Sequence, residues 1–364
     1  MSKLDELADL GQSIWLDYIH RDLFTTGRLD ELIGTGLRGM TSNPSIFDKA
    51  ISKAGAYDDD IRKLVAEGKS VQQIYETLAF EDIRSACDAL RPVYDQTDGL
   101  DGYVSLEVSP TLAHDTKNTM DQVRAYFKAV DRRNLMIKIP ATKEGIPAIE
   151  TMLGEGINVN VTLMFSVGQL DQVAEAFLKG LEHLKASGGD LTQIASVASF
   201  FVSRVDSMID PMLDEKGETG LRGKLGVANA RLAYHRFTEI FQGSRWETLR
   251  DEGARVQRVL WGSTSTKDPS YSDTMYVDEL IGPDTVNTVP PATLDAFLDH
   301  GTVARTVDQD VDAAQASVAE LSDLGIALDD VTDRLLVEGV DKFEKAFTNL
   351  MDSLESRRAE LQPS

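Results

Sequence analysis

The amino-acid sequence predicts a (β/α)8 barrel with additional helices, one of them a long C-terminal helix. Three observations lead there. Short apolar runs recur eight times along 364 residues. Segments with helical periodicity lie between most of them, the signature of an α/β fold. Several runs alternate apolar with polar residues, where the strands of a flat, doubly covered sheet would be apolar throughout. A barrel whose interior holds polar groups accounts for that alternation, because interior and exterior residues alternate along every strand.

The strands expected are, in order, "SIWLDYI" (13–19), "LRGMTS" (37–42), "GYVSLEV" (102–108), "LMIKIP" (135–140), "INVNVTL" (157–163), "IASVAS" (194–199), "RVLWGS" (258–263) and "DTVNTV" (284–289). In the first, Ile14 and Leu16 oppose Trp15 and Asp17. In the third, Val104, Leu106 and Val108 oppose Ser105 and Glu107; in the fourth, Ile137 and Ile139 oppose Lys138. In the fifth, Val159, Val161 and Leu163 oppose Asn158, Asn160 and Thr162. One helix reads from Ser166 as cap through Leu170, Val173, Phe177, Leu181 and Leu184, and a glycine pair stops it. A last helix, roughly 328–360, carries Leu336, Val340, Phe343, Phe347, Leu350 and Leu354 on one stripe. The polar, Gly-rich stretch 214–226 reads as a loop between helices. No tandem repeat or linker divides the chain, so residues 1–364 are expected to form a single barrel domain.

Composition narrows the function. The formal net charge of −23 disfavours binding to nucleic acid or to an anionic membrane. An anionic substrate would need positive charge supplied locally. A lone cysteine, Cys87, cannot form an intramolecular disulfide, and the five histidines are scattered, so neither residue type suggests a metal site. No signal peptide and no run of about 18 apolar residues is visible. A soluble, cytoplasmic protein without metal or cofactor is expected, as monomer or homodimer.

Lys138 is the residue out of place. Lysine is rarely buried, yet Met136, Ile137, Ile139 and Pro140 surround it. The plainer reading is an edge-strand lysine facing water. In a barrel it points inward, where desolvation should lower its pKa and free the amine to attack a carbonyl. Asp17 and Glu107 read alone as structural ion-pair carboxylates. On the same inner surface as a Schiff-base lysine they can serve as acid and base. In "TSNPSIF" (41–47), Asn43 and Pro44 have the form of a helix start, while Thr41 and Asn43 could equally bind substrate hydroxyls. Ser199 and Arg204 fall just past the sixth strand, and Lys267 follows the seventh among Ser and Thr residues. Such groups suit a phosphate, and late barrel loops often hold one. Lys267 could as well belong to a solvated turn. "GTGLRG" (34–39) matches a dinucleotide fingerprint but runs into a strand, and "NVT" (160–162) matches a glycosylation acceptor without a secretion signal.

The blocks "GMTSNPSIFDKAI", "VSLEVSPTLAHDT", "MIKIPATKEGI" and "INVNVTLMFS" resemble, in order, those of the transaldolase family. "DTVNTVPPATLDAF" is similar to a block of its longer bacterial branch. The resemblance implies a class I aldolase barrel without cofactor. It implies transfer of a dihydroxyacetone unit from sedoheptulose 7-phosphate or fructose 6-phosphate to glyceraldehyde 3-phosphate or erythrose 4-phosphate, in the non-oxidative pentose phosphate pathway. It assigns Lys138 as the Schiff-base lysine and Asp17 as the base for the C4 hydroxyl. Glu107 and Thr162, with a water, become the proton shuttle. Thr41, Asn43, Asn160 and Ser199 would hold the dihydroxyacetone moiety, and Arg204 the phosphate. Two places depart from the shorter branch. Phe201 lies in "SFFVSR", where that branch has a proline-containing form. After Ser263 no arginine follows at the second position, which leaves Lys267 as the second phosphate ligand. An aldolase that releases free dihydroxyacetone and a silent sugar-phosphate-binding barrel are the rival readings.

Overall fold

The computed structural model describes residues 2–51 and 55–361. Eight parallel strands close in chain order into a barrel: β1 (Gln12–Asp17), β2 (Gly39–Thr41), β3 (Tyr103–Glu107), β4 (Leu135–Pro140), β5 (Val159–Met164), β6 (Ser196–Phe201), β7 (Arg258–Gly262) and β8 (Thr285–Val289). β8 pairs with β1, so no sheet edge is left open. Helices surround the barrel, and the C-terminal helix Leu328–Leu361 is the longest.

The alternation expected in the strands sorts side chains as a barrel requires. Ile14, Leu16, Leu106, Ile137, Ile139, Val159 and Val161 belong to the large apolar core. The lower interior is a plug of Trp15, Tyr103, Met136, Val197, Leu260 and Val286. Gly39 makes room for it, since a Cβ there would lie 2.6 Å from the Trp15 indole. At the N-terminal mouth Arg258 is buried against Asp101 (2.8 Å) and Ser13 (2.9 Å). With that end filled, polar interior groups collect at the C-terminal end, the face where barrel loops build sites.

Three details differ from the sequence reading. β6 ends at Phe201, so Ser199 lies inside the strand and Arg204 sits in the first turn of the following helix, Ser203–Lys216. β5 does not alternate to its end: Leu163 has φ of 61°, and the register with β6 shifts between Val161 and Met164. Leu163 therefore packs with Phe165, Phe201, Val340 and Phe343 above the barrel, and Met164 takes the outer-core place. Asn158 precedes β5 rather than lining the site. Its amide donates to the Arg133 and Leu135 carbonyls, and its oxygen accepts from Ala195 N–H.

The helix expectations hold. Ser166 and Gln169 form a reciprocal cap on the helix Val167–Ala186. The loop expected over 214–226 is shorter: residues 217–224 link the helices Ser203–Lys216 and Leu225–Ile240, and residues 214–216 and 225–226 are helical. No helix among the described residues is long and apolar enough to cross a membrane.

Candidate active site

Strand register gathers the polar interior residues. Glu107 on β3 pairs with Lys138 on β4, which pairs with Asn160 on β5. Partners in a parallel ladder point the same way, so these side chains form a row on the inner wall. Asp17 pairs with Thr41 on the two strands next to that row, β1 and β2. Above them opens a cavity of about 540 Å³. Asp17, Thr41, Asn43, Lys138, Thr162, Ser199, Phe201, Arg204, Ser263 and Lys267 all line it. Glu107 and Asn160 stand directly behind, each tied to a lining residue.

Lys138 is 5% exposed. Its Nζ lies 3.3 Å from Glu107 Oε2 and donates to the Ser42 carbonyl at 3.2 Å. Burial pushes the Glu107 carboxyl above the usual carboxylate range; Lys138 opposes this and the Asp17 charge adds to it. Burial also raises Asp17, against the Lys138 charge and a 2.7 Å hydrogen bond from Thr41 Oγ1. Two acids with raised pKa values thus share a lysine as their cation. Asn160 is held in one orientation: its amide donates to Ser105 Oγ (2.9 Å) and its oxygen accepts from Ser199 Oγ (2.6 Å). The Thr162 hydroxyl is buried with no hydrogen-bond partner among the described residues.

Asn43 does cap the helix Pro44–Ile51, accepting from Ile46 N–H at 3.0 Å, and lines the cavity as well. The structural and binding readings of that motif are compatible, since its Nδ2 remains for a ligand.

The outer part of the cavity is cationic. Arg204 Cζ lies 5.0 Å from the Phe201 ring centroid and 5.7 Å from that of Phe343. Its Nη1 has no hydrogen-bond partner among the described residues. Burial lowers its pKa, opposed by Glu107 and Glu338. Lys267 keeps solvent contact at the rim. The surrounding protein, then the charges of Arg204 and Lys49, push its ammonium below the usual range.

Lys49 and Phe343 line the cavity without having been picked out from the sequence. Lys49 had a readable signal. It stands four residues after Ser45 on the helix that Asn43 starts, so both face one side. Phe343 had none: its stripe predicted packing but not that the C-terminal helix lies across the barrel mouth. Among the described residues, no group of three or more His, Cys, Asp or Glu is gathered as metal ligands.

The family profile described as Transaldolase/Fructose-6-phosphate aldolase matches residues 14–354. The chain is 50% identical to a transaldolase of Trichodesmium erythraeum over 98% of each sequence. It is 49% identical to transaldolase 2 of Nostoc punctiforme, again over 98% of each. It is 50% identical to a transaldolase of Thermobifida fusca, covering 98% of this chain and 99% of that one.

Proposed function

Because this chain belongs to the transaldolase/fructose-6-phosphate aldolase family, we propose that it works as a transaldolase with Lys138 as its Schiff-base nucleophile. The observation that carries the assignment is the buried Lys138 amine 3.3 Å from Glu107, with Asp17 on the same inner wall. The donor is a ketose phosphate, sedoheptulose 7-phosphate or fructose 6-phosphate. The acceptor is an aldose phosphate, glyceraldehyde 3-phosphate or erythrose 4-phosphate. The reaction belongs to the non-oxidative pentose phosphate pathway, and the cytoplasm is its place.

Glu107 takes a proton from the Lys138 ammonium, and the free amine adds to the ketose C2 carbonyl. Glu107 returns the proton as the carbinolamine loses water. Thr162, whose hydroxyl has no other partner among the described residues, holds the water that carries it. The resulting iminium accepts the electron pair of the C3–C4 bond. Asp17 removes the C4 hydroxyl proton as that bond breaks and the aldose leaves. Its raised pKa suits it to hold the proton until the acceptor arrives. The three-carbon enamine stays on Lys138, with Thr41, Asn43, Asn160 and Ser199 bonding its oxygens. It then attacks the acceptor aldehyde, Asp17 gives its proton to the new hydroxyl, and hydrolysis frees Lys138. Phe201 and Phe343 wall the enamine from water. Arg204 and Lys267, with Ser263 and Lys49 beside them, take the phosphate of donor and acceptor in turn.

Borohydride reduction in the presence of fructose 6-phosphate, followed by peptide mapping, tests this. A three-carbon adduct on Lys138 is expected. Absence of the adduct, or its appearance on another lysine, sinks the assignment. Adding erythrose 4-phosphate should give a seven-carbon product; release of free dihydroxyacetone instead would favour the aldolase reading.

A further inference from the structure

Arg204 and Lys267 come from different elements, and an anion site made of two such groups depends on their spacing. Arg204 opens the helix Ser203–Lys216, while Lys267 rides on the loop 263–274 that follows β7. That loop carries few apolar anchors of its own. It is tied to the Arg204 helix by polar contacts whose placement is regular.

Asp206, Asp210 and Asp214 recur every fourth residue on one face of the helix. An acidic ladder of this kind usually solvates a surface. Here Asp206 is 1% and Asp210 6% exposed. Each accepts one backbone N–H and one tyrosine hydroxyl. Asp206 takes Gly226 N–H at 2.8 Å and Tyr276 OH at 2.7 Å. Asp210 takes Gly223 N–H at 3.0 Å and Tyr271 OH at 2.7 Å. Asp214 is bound by Arg222, which also donates to Asp268 at 2.8 Å. Asp268 is the residue next to Lys267. The Tyr271 ring lies over Gly223, where a Cβ would come within 2.7 Å of it and where φ is 68°. At the loop's start Ser203 N–H donates to the Ser263 carbonyl at 3.1 Å, and the two serine hydroxyls are 2.9 Å apart.

We propose that Tyr271–Asp210, Tyr276–Asp206 and the Arg222 bridge are positioning residues for phosphate recognition. Tyr271 and Arg222 clamp the loop bearing Lys267 to the helix bearing Arg204, and Tyr276, on the helix Met275–Asp278 that follows the loop, anchors its far end, so that both cations face one phosphate. None of these residues touches the substrate. The proposal rests on the phosphate assignment above and adds a cause for its geometry. A lysine on a loop loses more side-chain freedom on binding than an arginine on a strand end. The clamp restricts the backbone beneath it beforehand, which makes a lysine workable where an arginine is missing.

The test uses the full chain with fructose 6-phosphate as fixed donor. Transfer through a covalent enzyme makes kcat/KM for the acceptor report on the second half-reaction alone. For Tyr271→Phe, KM for erythrose 4-phosphate should rise about tenfold, the scale of one hydrogen bond to a charged group, while kcat stays within about twofold. With unphosphorylated erythrose as acceptor, kcat/KM should not change. Arg222→Gln, on the solvent side, is the second variant and should act in the same direction. Equal losses for both acceptors, or a lowered melting temperature with unchanged discrimination, would reduce the clamp to a fold contact and overturn the proposal. Lys267→Ala separates the two levels. If it leaves the preference for the phosphorylated acceptor intact, the phosphate assignment fails. If it abolishes the preference while Tyr271→Phe and Arg222→Gln keep it, only the clamp is refuted.

Discussion

Replacing Lys138 by methionine keeps a buried unbranched stem and removes the ammonium, with its charge and its hydrogen bond to the Ser42 carbonyl, a loss that does not vary with pH. Glu107 then loses the cation 3.3 Å away while remaining 6% exposed. Burial already holds its carboxyl above the usual range, and Lys138 is the leading influence in the other direction. Without Lys138 the carboxyl moves further up and takes a proton instead of staying an unpaired buried charge. The cost has a ceiling. Protonating a carboxyl of ordinary pKa about 4.3 at pH 7 requires about 4 kcal/mol, and at pH 5 only about 1 kcal/mol. The sign follows from linkage. A group whose folded pKa is raised gives stability that is complete below its unfolded pKa and lost as pH rises through the folded pKa. The stability gap between wild type and Lys138→Met should therefore widen with pH between about 5 and 8. The limiting slope is about 1.4 kcal/mol per pH unit for each carboxyl that takes up a proton, and Asp17, which also feels Lys138, can add to it. Urea unfolding of both proteins at four pH values measures the gap. Lys138→Met with Glu107→Gln should flatten it. A gap constant across this range would mean that Lys138 and Glu107 are not coupled, and the acid–base part of the mechanism would fall with it.

Asp17→Asn should still give a borohydride-trapped adduct on Lys138, now the uncleaved six-carbon ketose, because imine formation in the proposed mechanism uses Glu107, while transfer falls about 10²–10³-fold, the scale of a lost general base. Phe343→Ala should lower stability by about 3 kcal/mol, measured by urea unfolding, and raise the share of donor released as free dihydroxyacetone as water reaches the enamine. Asp206 is buried and its pKa is raised from 3.8 to about 6. Stability tied to its proton is present below about pH 4 and lost through pH 6, so Asp206→Asn should be the more stable protein at pH 8, by up to about 3 kcal/mol. That advantage should vanish by pH 4; a variant less stable than wild type at every pH would contradict it.

The inner wall was legible because period-two alternation is a local property. Asp17, Glu107 and Lys138 each break an apolar strand at the position that faces inward, and closure of the barrel then brings them together. Boundaries were less legible. "IASVASFFVSR" has no Gly, Pro or polar cluster to mark where β6 ends, so Ser199 and Arg204 were placed two residues too far out. Leu163 could not be read at all. A leucine gives no hint of positive φ, and its conformation is set by the contacts with Phe165 and the C-terminal helix. The same helix brings Phe343 from some 200 residues beyond Lys138 to within 5.9 Å of its amine. Periodicity reports that a face is apolar, not what it covers.

A chain with net charge −23 that handles anionic sugars poses an apparent conflict, and the distribution of its charges resolves it. At physiological salt, fields between exposed charges are screened over about 8 Å, so acidic groups around the outer helices count for little at the barrel mouth. Within that distance what matters is local. Arg204, Lys267 and Lys49 line the cavity together, and among the described residues Asp17 is the sole carboxylate that lines it. Burial drives Asp17 toward its neutral form. Glu107, behind the wall, is paired with Lys138. The acids needed for proton transfer are thus the ones least able to repel a phosphate. The cations are displaced toward the rim, away from Lys138, as the position of a terminal phosphate on a six- or seven-carbon ketose would require of the proposed site.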